Sequence, residues 1–325
     1  MFIDHHAVGR VLTFRDCIAL LEDVFRHEAQ GMTFVSPRSH SDFSHSEFTS
    51  GAMRILFAAD HALGVGATKA YHSIQGVGTR YLVSLIDLRS GALLALIDGR
   101  HITDVRTGGA SGVVARRMAF DAPVSVGVIG SGHQARAQLE SLASVCRIAR
   151  VSVFSPTPSN REEFARRMSA RLGLAIEAVE TAEAATRGHD VVAAASKSRS
   201  IEPVVRPEWL ADCRLLCAVG NTRPQFAEID PRCCEAARLV VVDTPHAIEE
   251  AGELIRAKAA GFLPAAKVTT LAALSAGEAQ IPAEGMILFK SVGSALQDLA
   301  LARHCYETLC NEPGLPVFPD LHCGQ

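Results

Sequence analysis

The stretch Val124-Ser-Val-Gly-Val-Ile-Gly130-Ser131-Gly132-His133-Gln134-Ala135 constrains this chain most. Val124, Val126, Val128 and Ile129 read as a buried strand, Gly130-x-Gly132-x-x-Ala135 turns the chain, and residues 136–142 are good helix formers. A glycine pair of this spacing says little alone. Between a strand and a helix it is a dinucleotide-binding fingerprint. Gly130 permits the turn, Gly132 lets backbone approach a pyrophosphate with no Cβ in the way, and Ala135 lets helix and strand pack closely. The helix N-terminus offers N–H groups and a partial positive charge to phosphate. Ser131, His133 and Gln134 lie in the same turn and join Gly130 and Gly132 as candidate cofactor residues.

The segments that follow extend this pattern. After Asp121-Ala-Pro123, strands are expected at 150–154, 176–179, 190–195, 215–219 and 239–243. Helices are expected at 133–144, near 160–172 with Ser159 or Asn160 as cap and Glu162 and Glu163 in the first turn, and briefly at 181–186. Strands alternating with helices predict an α/β, doubly wound parallel sheet. Such a sheet binds ligands outside the carboxyl ends of its strands, where Ser155, Ser196, Gly220 and Asp243 fall. The segment from Phe289 to Asp298 is expected to open a last helix that runs back to the first part of the chain.

That first part, about 120 residues, reads as a mostly antiparallel α+β unit. Residues 13–30 form an amphipathic helix capped by Thr13 and ended by Gly31. Residues 34–50 are polar, carry His40, Asp42, His45 and Glu47, and read as loop or edge strand. Strands follow at 65–71, 81–88 and 92–97, and Asp104-Val-Arg106-Thr107 opens a helix of small residues through Met118.

Composition narrows the classes. A chain of 325 residues fits one very large domain or two ordinary ones, and 48% hydrophobic residues supply a sizeable core. The net charge of −3, with no Lys/Arg run, disfavours nucleic acid. No apolar run approaches the ~20 residues that span a bilayer, and nothing reads as a signal peptide. The nine scattered cysteines lack zinc-ligand spacing and read as reduced thiols of a cytoplasmic protein, and the thirteen histidines suggest no metal site.

Several motifs, in order, carry a resemblance. They are Lys69 in a Gly-rich strand, Asp104-Val-Arg106-Thr107, Gly130-Ser-Gly-His-Gln-Ala-Arg136, Ala218-Val-Gly-Asn-Thr-Arg-Pro224 with Glu228-Ile-Asp230, and Phe289-Lys-Ser-Val-Gly293 with Gln297-Asp298. Together they resemble the ornithine cyclodeaminase/mu-crystallin family. The resemblance implies a Rossmann domain, residues 121–298, plus a split dimerisation and substrate domain, residues 1–120 and 299–325, in a homodimer. It also implies hydride transfer between a nicotinamide and the Cα of a small amino or imino acid.

The resemblance assigns the substrate carboxylate to Lys69 and Arg106. Arg38 is the best match for a third basic residue, and Arg54 is its rival. Arginine suits a carboxylate because its planar fork makes two parallel charged hydrogen bonds. An unpaired Lys69 in an apolar strand would be costly, which favours a ligand-facing position and a lowered pKa suited to moving a proton. Tyr71, His72 and His133 are further candidate proton donors. By resemblance, Thr107 touches the cofactor phosphates, and Ser291 and Gly293 lie near the nicotinamide; Ser291 also suits a helix N-cap.

Cofactor choice follows from the second strand's end. NAD-binding sites place an acid there for the ribose 2′-hydroxyl. Here Ser155-Pro-Thr157-Pro-Ser159-Asn-Arg161 has none, and the hydroxyls of Ser155, Thr157 and Ser159, with Arg161, suit a 2′-phosphate. NADP(H) is favoured, with NAD(H) the alternative. Where ornithine cyclodeaminases carry a loop aspartate, this chain has Asn221 or Thr222, and neither can act as a carboxylate base. Thr222 is therefore taken as a substrate contact, and Glu228 and Asp230 as helix-start acids. These features favour an NADPH-dependent reductase of a small α-imino acid over a cyclodeaminase or a mu-crystallin-like binding protein.

Overall fold

The computed structural model describes residues 1–44 and 50–316; His45 and Glu47 lie outside them. Ten elements come first: β1 (Phe2–Ile3), α1 (His5–Val11), α2 (Phe14–Ala29), β2 (Thr33–Val35), β3 (Ser39–Phe43), β4 (Gly51–Asp60), β5 (Val65–Ile74), β6 (Gly78–Asp87), β7 (Leu93–Asp98) and α3 (Gly99–Met118). There follow β8 (Val124–Ile129), α4 (His133–Val145), β9 (Ile148–Phe154), α5 (Pro158–Leu172), β10 (Ile176–Ala178), β11 (Val191–Ala194), β12 (Leu215–Ala218) and α6 (Arg232–Ala236). The last are β13 (Leu239–Val242), α7 (Ala247–Glu250), α8 (Gly252–Ala259), β14 (Val268–Thr270), α9 (Leu271–Ala276), β15 (Ile287–Lys290) and α10 (Ala295–Leu309).

The chain divides into two units, Met1–Arg106 with Ser294–Gln325, and Thr107–Gly293. The sequence places these divisions at 120/121 and 298/299. α3 straddles the first division, which falls inside the helix expected from Asp104 to Met118.

In the first unit, β4, β5, β6 and β7 form an antiparallel meander; β2 and β3 both pair with β4, and β1 adds in parallel to β7. Strand alternation separates two faces. One holds Leu56, Lys69 and Val83 in register, with Arg54, Tyr71 and Tyr81 beside them. α10 packs against β4, β5 and β6, and against α2. The N-cap of α2 is Thr13, whose hydroxyl accepts from Asp16 N, and Ile18, Leu21, Val24 and Phe25 are buried. Each such side chain contributes about 1.5–3 kcal/mol. The polar segment 34–50, read as loop or edge strand, contributes β3 and the end of β2.

The second unit holds an all-parallel sheet of order β10-β9-β8-β11-β12-β15-β13-β14. Every residue of β8, β11, β12 and β15 is buried, the continuous apolar pattern of a sheet covered on both faces. The chain leaves β8 toward β9 and β10 and returns on the other side at β11, so the order reverses beside β8. This is an α/β doubly wound fold, and the fingerprint loop lies at the reversal.

Four local expectations are corrected. α3 begins at Gly99, five residues before Asp104, with Arg100 N bonded to Asp98 Oδ1. Residues 181–186 form turns. α5 begins at Pro158 with Thr157 as N-cap, so Ser159 and Asn160 are inside the helix and its first turn holds no acid. Residues 287–290 are a central strand, and α10 opens only at Ala295 with Ser294 as its N-cap, so Ser291 is not a cap.

Candidate functional site

The first unit contains a buried cluster around Lys69. β5 delivers Lys69 to the sheet face under α10, where both Lys69 and Asp298 are 2% exposed. Lys69 Nζ donates to Asp298 Oδ1 at 2.6 Å and to Thr103 Oγ1 at 2.7 Å. The Thr103 hydroxyl in turn donates to Gly99 O at 2.6 Å. Lys69 is therefore a paired charge, and the partner that offsets its burial is Asp298. Arg106, on α3, donates from Nη1 to Gln297 Oε1 at 3.1 Å, and its Nε lies 3.9 Å from Asp298 Oδ1. Consecutive residues of α10 thus hold the two cations.

Burial is the main cause that lowers the Lys69 ammonium to about 8; Arg106 and Arg38 push the same way and Asp298 opposes them. The Lys69 Nζ also lies 5.2 Å from the centre of the Tyr81 ring. Tyr81 packs against Tyr71 at 5.4 Å, and Arg38 Nη1 donates to Tyr71 Oη at 2.7 Å. The structure thus brings Arg38, Lys69 and Arg106 into one electrostatic neighbourhood. Arg54 lies on the same sheet face, and its Nη2 is 3.5 Å from Asp42 Oδ1. His72 is exposed on the opposite face.

In the second unit, the fingerprint loop tests whether a dinucleotide fits. Gly130 has φ +116, and a Cβ there would lie 2.5 Å from Ala195 O, so only glycine serves. A Cβ on Gly132 would meet nothing within 4 Å. That open side is what backbone needs in order to approach a pyrophosphate. Gly132 is also the N-cap of α4, so no side chain blocks the helix N-terminus, which His133 and Gln134 begin. Ala135 is fully buried, as close packing requires.

The end of β9 adjoins this loop. Ser131 Oγ donates to Ser155 Oγ at 3.0 Å, and Arg161 Nη1 donates to Ser155 O at 3.1 Å. Thr157 caps α5 with backbone alone; its side chain makes no capping bond. Thr107 is buried in α3, and its carbonyl accepts from Gln138 Nε2 at 3.1 Å. The residues fit a dinucleotide.

Two buried acids fix the remaining loops, and both roles were missed in the sequence. Glu228 accepts from Ser196 N, Ser196 Oγ and Gly220 N at 2.6, 2.8 and 2.7 Å. It is no helix-start acid, since α6 begins at Arg232. A Cβ on Gly220 would lie 2.1 Å from Glu228 Oε1, which explains the glycine. Burial pushes the Glu228 carboxyl up from its usual range, against the pull of Lys290. Asp243 accepts from Ser291 Oγ, Val292 N and Gly293 N, shaping the turn after β15. Asp230 does sit at the start of α6, accepting from Arg232 N at 2.9 Å.

Asn221 faces inward. Its Nδ2 donates to Glu253 Oε2 at 2.7 Å and Phe226 O at 2.8 Å, and Lys290 Nζ donates to Asn221 O and to Glu253 Oε1. Thr222 beside it is half-buried. Asp298 was legible only in part: an acid between Leu296, Leu299 and Leu301 marks a buried charge, but nothing in the sequence names its partner.

A Rossmann-type dinucleotide fold with a split α+β companion unit defines the class of this protein. The chain belongs to the ornithine cyclodeaminase/mu-crystallin family, whose profile matches residues 1–312. It is 29% identical over 316 residues to alanine dehydrogenase of Archaeoglobus fulgidus, covering 94% of each chain. It is 26% identical over 305 residues to Δ1-pyrroline-2-carboxylate reductase of Bacillus cereus, covering 92% of this chain and 93% of that one. The structure is similar to that of Thermococcus litoralis Δ1-pyrroline-2-carboxylate reductase in complex with NADH and L-proline. There the TM-score is 0.86 and the identity 27%, over 95% of this chain and 97% of that chain.

Proposed function

We propose that this chain is an NAD(P)-dependent reductase of a small α-imino acid, with a cyclic ketimine such as Δ1-pyrroline-2-carboxylate as type substrate and NADPH as the preferred donor. The observation that carries this reading is the buried Lys69, a lowered ammonium held beside Arg106 in a neighbourhood that includes Arg38. Lys69 and Arg106 both face the one carboxylate of Asp298, an arrangement that suits an anion. The names of the relatives, reductases and dehydrogenases of imino and amino acids, support the same chemistry.

When bound, the reduced nicotinamide supplies hydride to the carbon of the C=N bond. The chain does the rest. Arg106, Lys69 and Arg38 hold the substrate carboxylate. Lys69 holds the proton that the imine nitrogen must gain, and an ammonium titrating near neutrality suits that task. Gly130, Ser131, Gly132, His133, Gln134 and Thr107 hold the pyrophosphate. Ser196, Gly220, Ser291 and Gly293 line the nicotinamide end. Ser155, Thr157 and Arg161, with no acid among them, favour a 2′-phosphate over a 2′-hydroxyl.

The assay is NADPH oxidation with Δ1-pyrroline-2-carboxylate and its six-membered homologue. Turnover with either supports the reading. Ammonia release from ornithine without net cofactor turnover would instead make the protein a cyclodeaminase. Tight NADPH binding without turnover would make it a binding protein. The inward-turned Asn221, engaged with Glu253, speaks against the cyclodeaminase.

We also propose a homodimer. The face of the first sheet opposite α10 exposes Phe34 (55%), Met53 (52%), Ile55 (48%) and Leu82 (41%). An apolar sheet face of this kind calls for a cover, and a second copy supplies one.

A further inference from the structure

A lysine ammonium has three donors. In Lys69 one goes to Asp298 and one to Thr103, and both partners are buried. One donor is left for a substrate. The Thr103 hydroxyl donates to Gly99 O and accepts from the ammonium. Among the described residues, Asp298 is the main group that favours the charged form of Lys69 through its own charge. It lies in the first turn of α10, where the helix N-terminus also favours a carboxylate. An ion pair in an otherwise apolar interior is seldom kept for stability, since apolar residues of similar volume do as well or better. Its retention here points to the ammonium that it holds.

We propose that Asp298 is a positioning residue: it aims the Lys69 ammonium and sets when that ammonium carries its proton. The inference rests on the reading of Lys69 as the proton-holding group. The step it serves balances: hydride adds to the imine carbon, and one proton passes from Lys69 Nζ to the imine nitrogen. Lys69 then recovers a proton from solvent. The charged and titratable groups around Lys69 are Asp298 from α10, Arg106 from α3, Arg38 from the segment before β3, and Tyr81 from β6. Arg54 of β4 shares the sheet face, and the Arg100–Asp104 pair of α3 acts on Tyr81. Only Asp298 among them supplies a negative charge in contact with Lys69.

The chain has five lysines, so Lys69 can be followed by NMR in protein carrying 13C at lysine Cε, with Lys69→Arg to assign its signal. The titration uses the protein without substrate, and is run on the native chain, Asp298→Asn and Asp298→Glu. In Asp298→Asn the Lys69 midpoint falls by about one pH unit or more, and the alkaline limb of kcat/KM falls with it. In Asp298→Glu the midpoint returns toward the native value, while kcat stays lower because the carboxylate is displaced. An unmoved or raised midpoint in a folded Asp298→Asn protein overturns the proposal, even if its Tm drops. If Asp298→Asn does not fold, Asp298→Glu decides: reduced kcat with a retained midpoint supports the proposal, and native kcat overturns it. A native chain that reduces no imine yet shows the midpoint shift would defeat the proposed reaction while leaving the role of Asp298 standing.

Discussion

Lys69 couples burial to pH. Its ammonium is lowered from the usual 10.5 to about 8. Between those values the unfolded chain binds more protons than the folded one, so the contribution of Lys69 to stability rises with pH there and is unfavourable below it. For catalysis the sign is opposite. In the proposed reduction the ammonium gives the proton, so kcat/KM is expected to be flat below about pH 8 and to fall above it with a slope of one proton. A pH-rate profile checks this. Lys69→Met should lose the limb and lower kcat/KM by roughly 10²–10⁴, the span of general acid catalysis. A native-like profile in that variant would remove Lys69 from the reaction. Lys69 was legible in the sequence because a lone lysine in an apolar strand asks for an explanation. Its partner was not, because Asp298 lies 229 positions away and pairing at that distance is decided by the packing of α10. Glu228 was misread for a related reason: its three donors come from two other strand ends.

Elements whose signals are local were read well. The strand–turn–helix at β8 and α4 is encoded by adjacent residues, as is α2, whose cap, apolar face and terminal Gly31 lie together. β15 was missed because a four-residue buried strand ahead of a helix cannot be told from helix by periodicity. The start of α3 was placed late because its first turn carries Gly99, Arg100 and His101, which give no apolar stripe; Asp98 bonding to Arg100 N starts it. At the end of β9 the local reading yields a prediction. Arg161→Ala should weaken NADPH binding roughly 10- to 150-fold, the 1.5–3 kcal/mol of a hydrogen bond to a charged group, and change NADH binding less than about twofold. Fluorescence titration with both nucleotides measures this. Equal losses would show that Arg161 serves only to hold the Ser155 turn.

Across the whole molecule the parallel sheet was legible, and α3 is one helix that belongs to both units. The exposed face of the first sheet was not legible, since the alternation that makes it also fits strands facing water. Met53→Asp with Ile55→Asp places charge at its centre and should convert a dimer to monomer in sedimentation; a native chain that is monomeric at all concentrations would refute the dimer. The proposed hydride transfer is tested most directly by following the hydrogen itself. NADPH carrying deuterium at C4 of the nicotinamide is mixed with protein and Δ1-pyrroline-2-carboxylate, and the product is read by mass spectrometry and NMR. Proline with one deuterium at Cα is the predicted result. Proline lacking deuterium with either C4 epimer of the cofactor, or no proline at all, would contradict it.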